Sequence, residues 1–411
     1  MNLNTQPYKG TRDFYPEDMR LRQFMFDKWR EVCRSFGYEE YDGPILEPLE
    51  LFAAKTSEEI VNDQAYSFTD RGDRKVIMRP EMTPTVSRMV AARRQELGYP
   101  LRLFSIPNCF RYERPQKGRL REFWQLNADI FGVQGIEADV EIIQLADALM
   151  KSFGAKTGSY EIRINSRKLL NKRINESVVK SSVEDVIRII DRYDKQPQAK
   201  TLEQLAETVE QPEKLLKNLE NDGPSQEVSR VAEKLKKLGV DRVKPTETLA
   251  RGFDYYTDIV FEVFDTNPDN NRSMFGGGRY DGLVGQLGVD PVPTVGFGMG
   301  DLTFENFLRA NDLVPELKNS TDLALITVGD VYTEASKLAG ELRQKGLNVS
   351  LDATDRKIDK KIKAADKQGV EYVLFVGEVE LKVQKFNLKN LKTGQEEKIA
   401  VVDLNRNKLA N

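Results

Sequence analysis

The period of the apolar pattern switches from strand-like to helical near residue 167 and back again near residue 251, and that interruption limits the fold more than any other feature. Residues 66–131 alternate apolar and polar side chains in YSFTDRGDRKVIMRP, RLFSIPNCFRYE and EFWQLNADIFG, broken by one helical stretch around residues 83–97. Before them, residues 17–37 predict an amphipathic helix carrying Leu21, Phe24, Met25, Phe26, Trp29, Val32 and Phe36, with Gly37 as its stop. A further helix over about residues 137–152 leads into the strand YEIRINS. Residues 167–240 are charged, poor in glycine and helical in period, without a strand signal. The sheet pattern resumes in RGFDYYTDIVFEVF, FGGGRYDG and VPTVGFGMG. A sheet begun before such a block and completed after it predicts one antiparallel core made from two chain segments. The expected division is 1–166 and 245–317 for the core, with 167–244 as a helical insertion. After the break NDLVPELKNST the pattern becomes β-α-β-α-β, which predicts a small parallel-sheet α/β domain over 318–411. The fold class is therefore a multidomain chain, part α+β and part α/β.

Composition narrows the chemistry. The chain of 411 residues has no histidine, which excludes Ser-His-Asp and Cys-His triads, imidazole acid/base catalysis and any His-ligated metal. Two cysteines, Cys33 and Cys109, are too few for a disulfide framework or a thiolate zinc site. Lys+Arg number 62 and Asp+Glu 65, a net charge of -3, so any nucleic acid must be bound by local patches. No apolar run is long enough to span a bilayer and the N-terminus does not read as a signal peptide, which points to the cytoplasm.

The most informative stretch is CFRYERPQKGRLREFWQLNADIFG, residues 109–132. Two strand patterns flank a polar loop carrying Arg114, Lys117, Arg119 and Arg121, a hairpin with a cationic tip. Strand alternation puts Phe123, Gln125, Asn127 and Asp129 on one face and Trp124, Leu126, Ala128 and Ile130 on the other. A sheet face carrying a ring, amides and a carboxylate is costly to bury without partners, and Phe123 is misplaced if it is open to water. It reads as a binding face; a solvated charged hairpin is the alternative.

These residues resemble the second signature motif of class II aminoacyl-tRNA synthetases, and specifically of histidyl-tRNA synthetases. GYEEYDGPIL resembles the first motif, whose proline, here Pro44, belongs to a homodimer interface in that class. RPEMTPT resembles the amino-acid pocket strand, and LARGFDYYTDIVFEV a segment peculiar to the family. The resemblance covers nearly the whole chain. It implies a class II antiparallel-sheet catalytic core and a C-terminal anticodon-binding domain. It also implies an ATP-dependent ligase that makes histidyl-adenylate and charges histidine tRNA.

By the same resemblance Arg111 would hold the ATP α-phosphate, Glu113 the adenine and Arg119 the terminal phosphates, with Phe123 stacked on the base. Glu81, Thr83 and Gln125 would hold the α-amino group of histidine. Asp129 and Tyr256 would flank its imidazole, and Tyr255 would line the pocket. Arg251 would face Arg111 across the reacting phosphorus, with Mg2+ carried on the outer phosphates; a surface salt-bridge arginine is the alternative for Arg251. If RGFDYYTDIV is a strand throughout, Tyr255 and Tyr256 point to opposite faces and both reach a ligand only across a bulge. The third motif departs from the class, with Leu302 and Thr303 where a Glu-Arg pair is usual, so the adenine loses a cation from one face. In DRKIDKKIKAADK, Arg356, Lys357, Lys360 and Lys361 are candidate tRNA contacts, although interleaved aspartates also suit a solvated helix. Two further readings stay open. One is a non-catalytic regulatory subunit of histidine biosynthesis that keeps the synthetase-like core, and the other a nucleic-acid-binding accessory protein.

Overall fold

The strand that enters the helical block, Tyr160–Ser166, pairs antiparallel with the strand that follows it, Ile259–Asp265, in register from Ser166 opposite Ile259 to Tyr160 opposite Asp265. The structure is a computed structural model and describes residues 4–53, 64–116, 118–193, 196–270 and 272–410. It divides into two compact units, residues 1–314 and 315–411.

The first unit is built on a nine-stranded sheet. From one edge its order is Glu39–Glu40, Leu101–Ser105, Glu122–Phe131, Thr294–Gly300, Ser273–Arg279, Ile259–Asp265, Tyr160–Ser166 and Val243–Pro245. Asn108–Phe110 pairs with the outer part of Glu122–Phe131. The central pairings are antiparallel, as expected, but both edge pairs are parallel. The three strands from after the helical block, Thr294–Gly300, Ser273–Arg279 and Ile259–Asp265, lie together between Glu122–Phe131 and Tyr160–Ser166, which precede it.

Helices pack against this sheet. Pro16–Ser35 begins with proline at its first turn, followed by Glu17 and Asp18, where a helix N-terminus favours acidic side chains. It stops before Gly37, whose φ of +78° is the left-handed conformation that glycine adopts at least cost. Its inner face buries Leu21, Met25, Phe26, Trp29 and Val32, and the Trp29 ring lies 5.8 Å from Phe304. The helix expected over 83–97 spans only Thr83–Ala92. The next residues, Arg93 to Glu96, offer no apolar side chain, so a further turn has nothing to bury.

Five helices follow Ser166: Arg167–Asn175, Val183–Ile190, Gln198–Thr208, Pro212–Asn221 and Gln226–Lys237. Serine hydroxyls cap three of them, with Ser166, Ser182 and Ser225 accepting from the amides of Leu169, Asp185 and Val228. Leu170, Ile174, Ile187, Leu205, Leu215 and Leu219 form a separate core among the first four. Gln226–Lys237 instead packs on Glu137–Ser152, where Lys234 pairs with Glu137 at 3.1 Å.

In the second unit, Leu323–Val328, Val349–Asp352 and Tyr372–Gly377 form the expected parallel strands, with Tyr332–Gln344 and Ile358–Lys367 between them. Two antiparallel strands, Lys385–Asn390 and Glu396–Ala400, extend the sheet. Their pattern is weak in the sequence because only Phe386, Leu388 and Ile399 turn inward amid polar neighbours.

Candidate active site

Strand alternation along Glu122–Phe131 carries through to the folded chain. Leu126, Ala128 and Ile130 point into the core, while Phe123, Gln125, Asn127 and Asp129 line a cavity of about 270 Å³ on the other face. The cavity also gathers Glu81, Thr83, Arg111, Glu113, Arg119, Arg251, Tyr255 and Tyr256, so every residue expected to hold histidine or ATP lies around one space.

Glycines make that space. Gly276 on one strand, and Gly296 and Gly298 on the next, line the cavity, and Gly278 lies under the Tyr256 ring. A Cβ on Gly276 would lie 2.7 Å from Nη1 of Arg251, and one on Gly278 would lie 3.0 Å from the Tyr256 ring. One on Gly296 or Gly298 would strike the side chain of Asp129 or Gln125. The triple glycine thus serves close approach and is not a flexible turn: residues 276–278 lie inside strand Ser273–Arg279.

The cavity has two electrostatic ends. At one, Glu81 accepts from the Tyr255 hydroxyl at 3.0 Å and Asp129 accepts from the Tyr280 hydroxyl. Both carboxylates are buried. Burial pushes the Asp129 carboxyl up to about 7, opposed by the Tyr280 hydrogen bond and reinforced by the negative charge of Glu81. Tyr280 was not among the sequence candidates. In SMFGGGRY it follows Gly276 and Gly278 at every second position, and that alternation is the signal that could have found it.

Toward the other end are Arg111 and Arg119, while Arg251 stands 5.8 Å from the Tyr256 ring centroid. Arg111 lies beyond the end of strand Asn108–Phe110, donates to the Pro80 carbonyl at 2.9 Å and stands 5.3 Å from the Phe123 ring centroid. Arg119 pairs with Glu113 at 3.3 Å and stays largely exposed. Arg251 pairs with Glu262 at 2.5 Å and donates to the Gly276 carbonyl at 3.3 Å, so it is no surface salt-bridge arginine.

Tyr255 and Tyr256 are both buried against the cavity, their ring centroids 4.9 Å apart. The expectation of opposite faces fails because residues 251–258 form a loop and the strand begins at Ile259. Alternation does not govern a loop, and Phe253 stacking on Tyr255 at 5.1 Å holds it closed.

Arg121 leaves the cationic tip. Its guanidinium lies 3.9 Å from the Tyr112 ring and 5.6 Å from the Tyr8 ring, and it donates to the Tyr8 hydroxyl and the Glu113 carbonyl. Arg114 is exposed, and Lys117 lies outside the described residues. The third-motif segment begins helix Asp301–Ala310. Buried Asp301 accepts from the Trp124 amide at 3.1 Å and from Arg12 at 2.6 Å. Leu302 and Thr303 line the cavity beside Met274, and the Thr303 hydroxyl is spent on the Met274 carbonyl. Among the described residues the cations lining the cavity are Arg111, Arg119 and Arg251, and none of these is at the third-motif position.

In the second unit Lys357 and Lys360 are exposed, and Arg356 pairs with Asp352 at 3.1 Å. Lys361 points inward, 5% exposed, donating to the Thr327 hydroxyl at 2.9 Å and its carbonyl at 3.1 Å. The basic helix therefore spends one of its cations on its own fold.

Comparison with known proteins agrees with this arrangement. Residues 10–301 match the histidyl-tRNA synthetase family and residues 322–407 an anticodon binding domain. A histidine–tRNA ligase of Leptospira biflexa is 41% identical over 95% of this chain and 94% of its own. One from Haloarcula marismortui is 36% identical over 94% of each. The crystal structure of apo S. aureus histidyl-tRNA synthetase superposes with a TM-score of 0.76 at 26% identity, covering 97% of this chain and 98% of that one. With its two-ended cavity, its class II sheet and near full-length relatives above 30% identity, the chain belongs to the histidyl-tRNA synthetase family.

Proposed function

We propose that this chain is a histidine–tRNA ligase that joins histidine to AMP with release of pyrophosphate and then passes the histidyl group to the 3′ end of histidine tRNA. One observation carries the reading: a single cavity gathers buried carboxylates with hydroxyl partners and three arginines. An amino acid with a basic ring suits the carboxylates and a triphosphate the arginines, and the carboxylate of the amino acid then lies between them.

In this reading Glu81, Thr83 and Gln125 hold the α-amino group, Asp129 and Tyr256 bracket the imidazole, and Tyr255 walls the pocket. Phe123 stacks on adenine, Glu113 contacts it, and Arg119 takes the outer phosphates. The opposite wall of the base site is the uncharged surface of Met274, Leu302 and Thr303. A carboxylate oxygen attacks the α-phosphorus and pyrophosphate leaves. No side chain gains or loses a proton, so a histidine-free chain is competent for this step. Arg111 and Arg251 stabilise the charge that builds on the phosphoryl oxygens. No cluster of three carboxylates or thiols among the described residues could hold a metal ion. Mg2+ would therefore arrive on the nucleotide, and no step here runs through it.

The C-terminal unit supports contact with the tRNA through Lys357, Lys360 and Arg356, with Lys361 holding the helix in place. A homodimer with Pro44 at its interface and a cytoplasmic location complete the proposal. No helix among the described residues is long and apolar enough to cross a membrane. The regulatory-subunit reading is less supported, because relatives named histidine–tRNA ligase match nearly the whole chain.

The test is pyrophosphate exchange with each amino acid in turn. Exchange with histidine alone is expected, and silence with all of them would favour the regulatory reading. Arg251→Ala should lower the exchange rate by about 10²- to 10³-fold, the loss usual for one stabilising donor.

A further inference from the structure

We infer that the imidazole of bound histidine and the Asp129 carboxyl share a single proton, so that capture of the amino acid takes up a proton above neutral pH and releases one below it. The inference rests on the reading that this cavity takes histidine.

The argument begins with what surrounds Asp129. It is 2% exposed. Across the sheet its register partners are Gly296 on one side and Leu103 on the other, and neither side chain can donate. The Tyr280 hydroxyl donates to Oδ1, while Oδ2 is buried without a hydrogen-bond partner. Among the described residues no lysine or arginine forms an ion pair with it. The ionisable groups that face it are Tyr280, Tyr41, Tyr38 and Glu81. Burial pushes all three tyrosine hydroxyls up, so they keep their protons through neutral pH and offer hydrogen bonds without positive charge. Glu81 adds negative charge. Arg79, which faces Tyr41, is committed to the carbonyls of Gly43 and Asn108 and to the carboxylate of Asp42, and Arg102, which faces Tyr38, is paired with Glu141.

A buried carboxylate without a cation is costly when ionised, and so is an imidazolium placed in a dry pocket without an anion. Each relieves the other if exactly one proton lies between them. With two protons the pair is a cation without a counter-ion, and with none it is an anion without one. The free partners do not obey that limit. The Asp129 carboxyl titrates near 7 and an imidazole near about 6.5. At about pH 8 both are mostly deprotonated, so forming the pair must bring in a proton; at about pH 5.5 both are mostly protonated, so one must leave. The proton count therefore changes sign between these limits.

Calorimetric titration of histidine into the full chain, at about pH 8 and about pH 5.5 in buffers of different protonation enthalpy, reads this count directly. Uptake approaching one proton is expected at the higher pH and release approaching one at the lower. Asp129→Asn should abolish the uptake at pH 8. Tyr280→Phe removes the bond that favours the ionised carboxyl, so it should keep the sign change and move its crossing point to higher pH. Binding of histidine without proton transfer at both pH values, or uptake that persists in Asp129→Asn, would overturn the inference. A wild-type chain that binds no histidine and exchanges pyrophosphate with another amino acid would overturn the substrate reading and this inference with it.

Discussion

Arg167 donates from Nη1 to the backbone carbonyl of Arg251 at 2.8 Å. Arg167 opens the first helix after the sheet strand, so the helical insertion begins with a contact to the loop that carries Arg251. Glu262 holds the guanidinium of Arg251 from the front and Arg167 holds its backbone from behind. Three residues further along the same loop, Asp254 lies 3.6 Å from Arg188 on the second insertion helix, and Ala250 is buried in the insertion core. The loop is thus strung between insertion and sheet.

Arg167 is therefore a positioning residue for Arg251. Arg167→Met should lower kcat for pyrophosphate exchange by about 10- to 100-fold, the scale of a displacement near 1 Å at a reacting group. The KM for histidine should change less. Arg167→Lys, which can still reach the carbonyl, should recover part of the rate. A folded Arg167→Met with normal kcat would assign this contact to stability alone.

Arg121 sits between two tyrosine rings and donates to the Glu113 carbonyl, which fixes the loop between the motif-two strands. Each cation–ring contact of this kind contributes about 0.5–2 kcal/mol. Arg121→Ala should raise the KM for ATP by about tenfold, and Tyr112→Ala should do so by less, because Tyr8 remains. Titration of each variant with ATP, beside its histidine KM, separates loop positioning from general unfolding.

Gly296→Ala should block the amino-acid end of the cavity, since the added methyl meets both the Asp129 carboxyl and the Ala128 carbonyl. Overpacking costs about 1–3 kcal/mol, so the KM for histidine should rise by about 5- to 100-fold. Gly340→Ala, on the C-terminal helix Tyr332–Gln344 with open space around it, should leave exchange unchanged and raise helix stability by up to about 1 kcal/mol. Equal effects at both sites would remove the steric account of the glycine pattern.

Neighbouring lysines on helix Ile358–Lys367 should behave differently. Lys360→Ala should weaken tRNA binding and reduce its salt dependence by about one counter-ion. Lys361→Met should instead cost about 1–3 kcal/mol of stability, because the Thr327 acceptors lose their donor in a buried site. Chemical denaturation and salt-dependent filter binding distinguish the two outcomes.

The sequence reading succeeded where one strand's backbone decides the answer. Phe123, Gln125, Asn127 and Asp129 share a face because successive side chains of any strand point to opposite sides, and no distant contact is needed to know it. Position within a hairpin, the helical period and the small parallel domain were legible for the same reason. Tyr255 and Tyr256 were misread as strand residues because an aromatic-rich loop and a strand end have the same composition. Only the packing of Phe253 against them reveals the difference.

What the sequence by itself determined was the identity and face of the groups that meet in the cavity. Which of its many cations are free to meet a ligand was decided by tertiary structure alone. Arg121 reads as part of a cationic hairpin tip and Lys361 as a candidate tRNA contact, yet Tyr8, more than a hundred residues before Arg121 in sequence, and Thr327, 34 residues before Lys361, engage them. A side chain's period is a property of local backbone geometry, whereas its freedom depends on acceptors and rings that other segments bring within hydrogen-bonding or stacking distance.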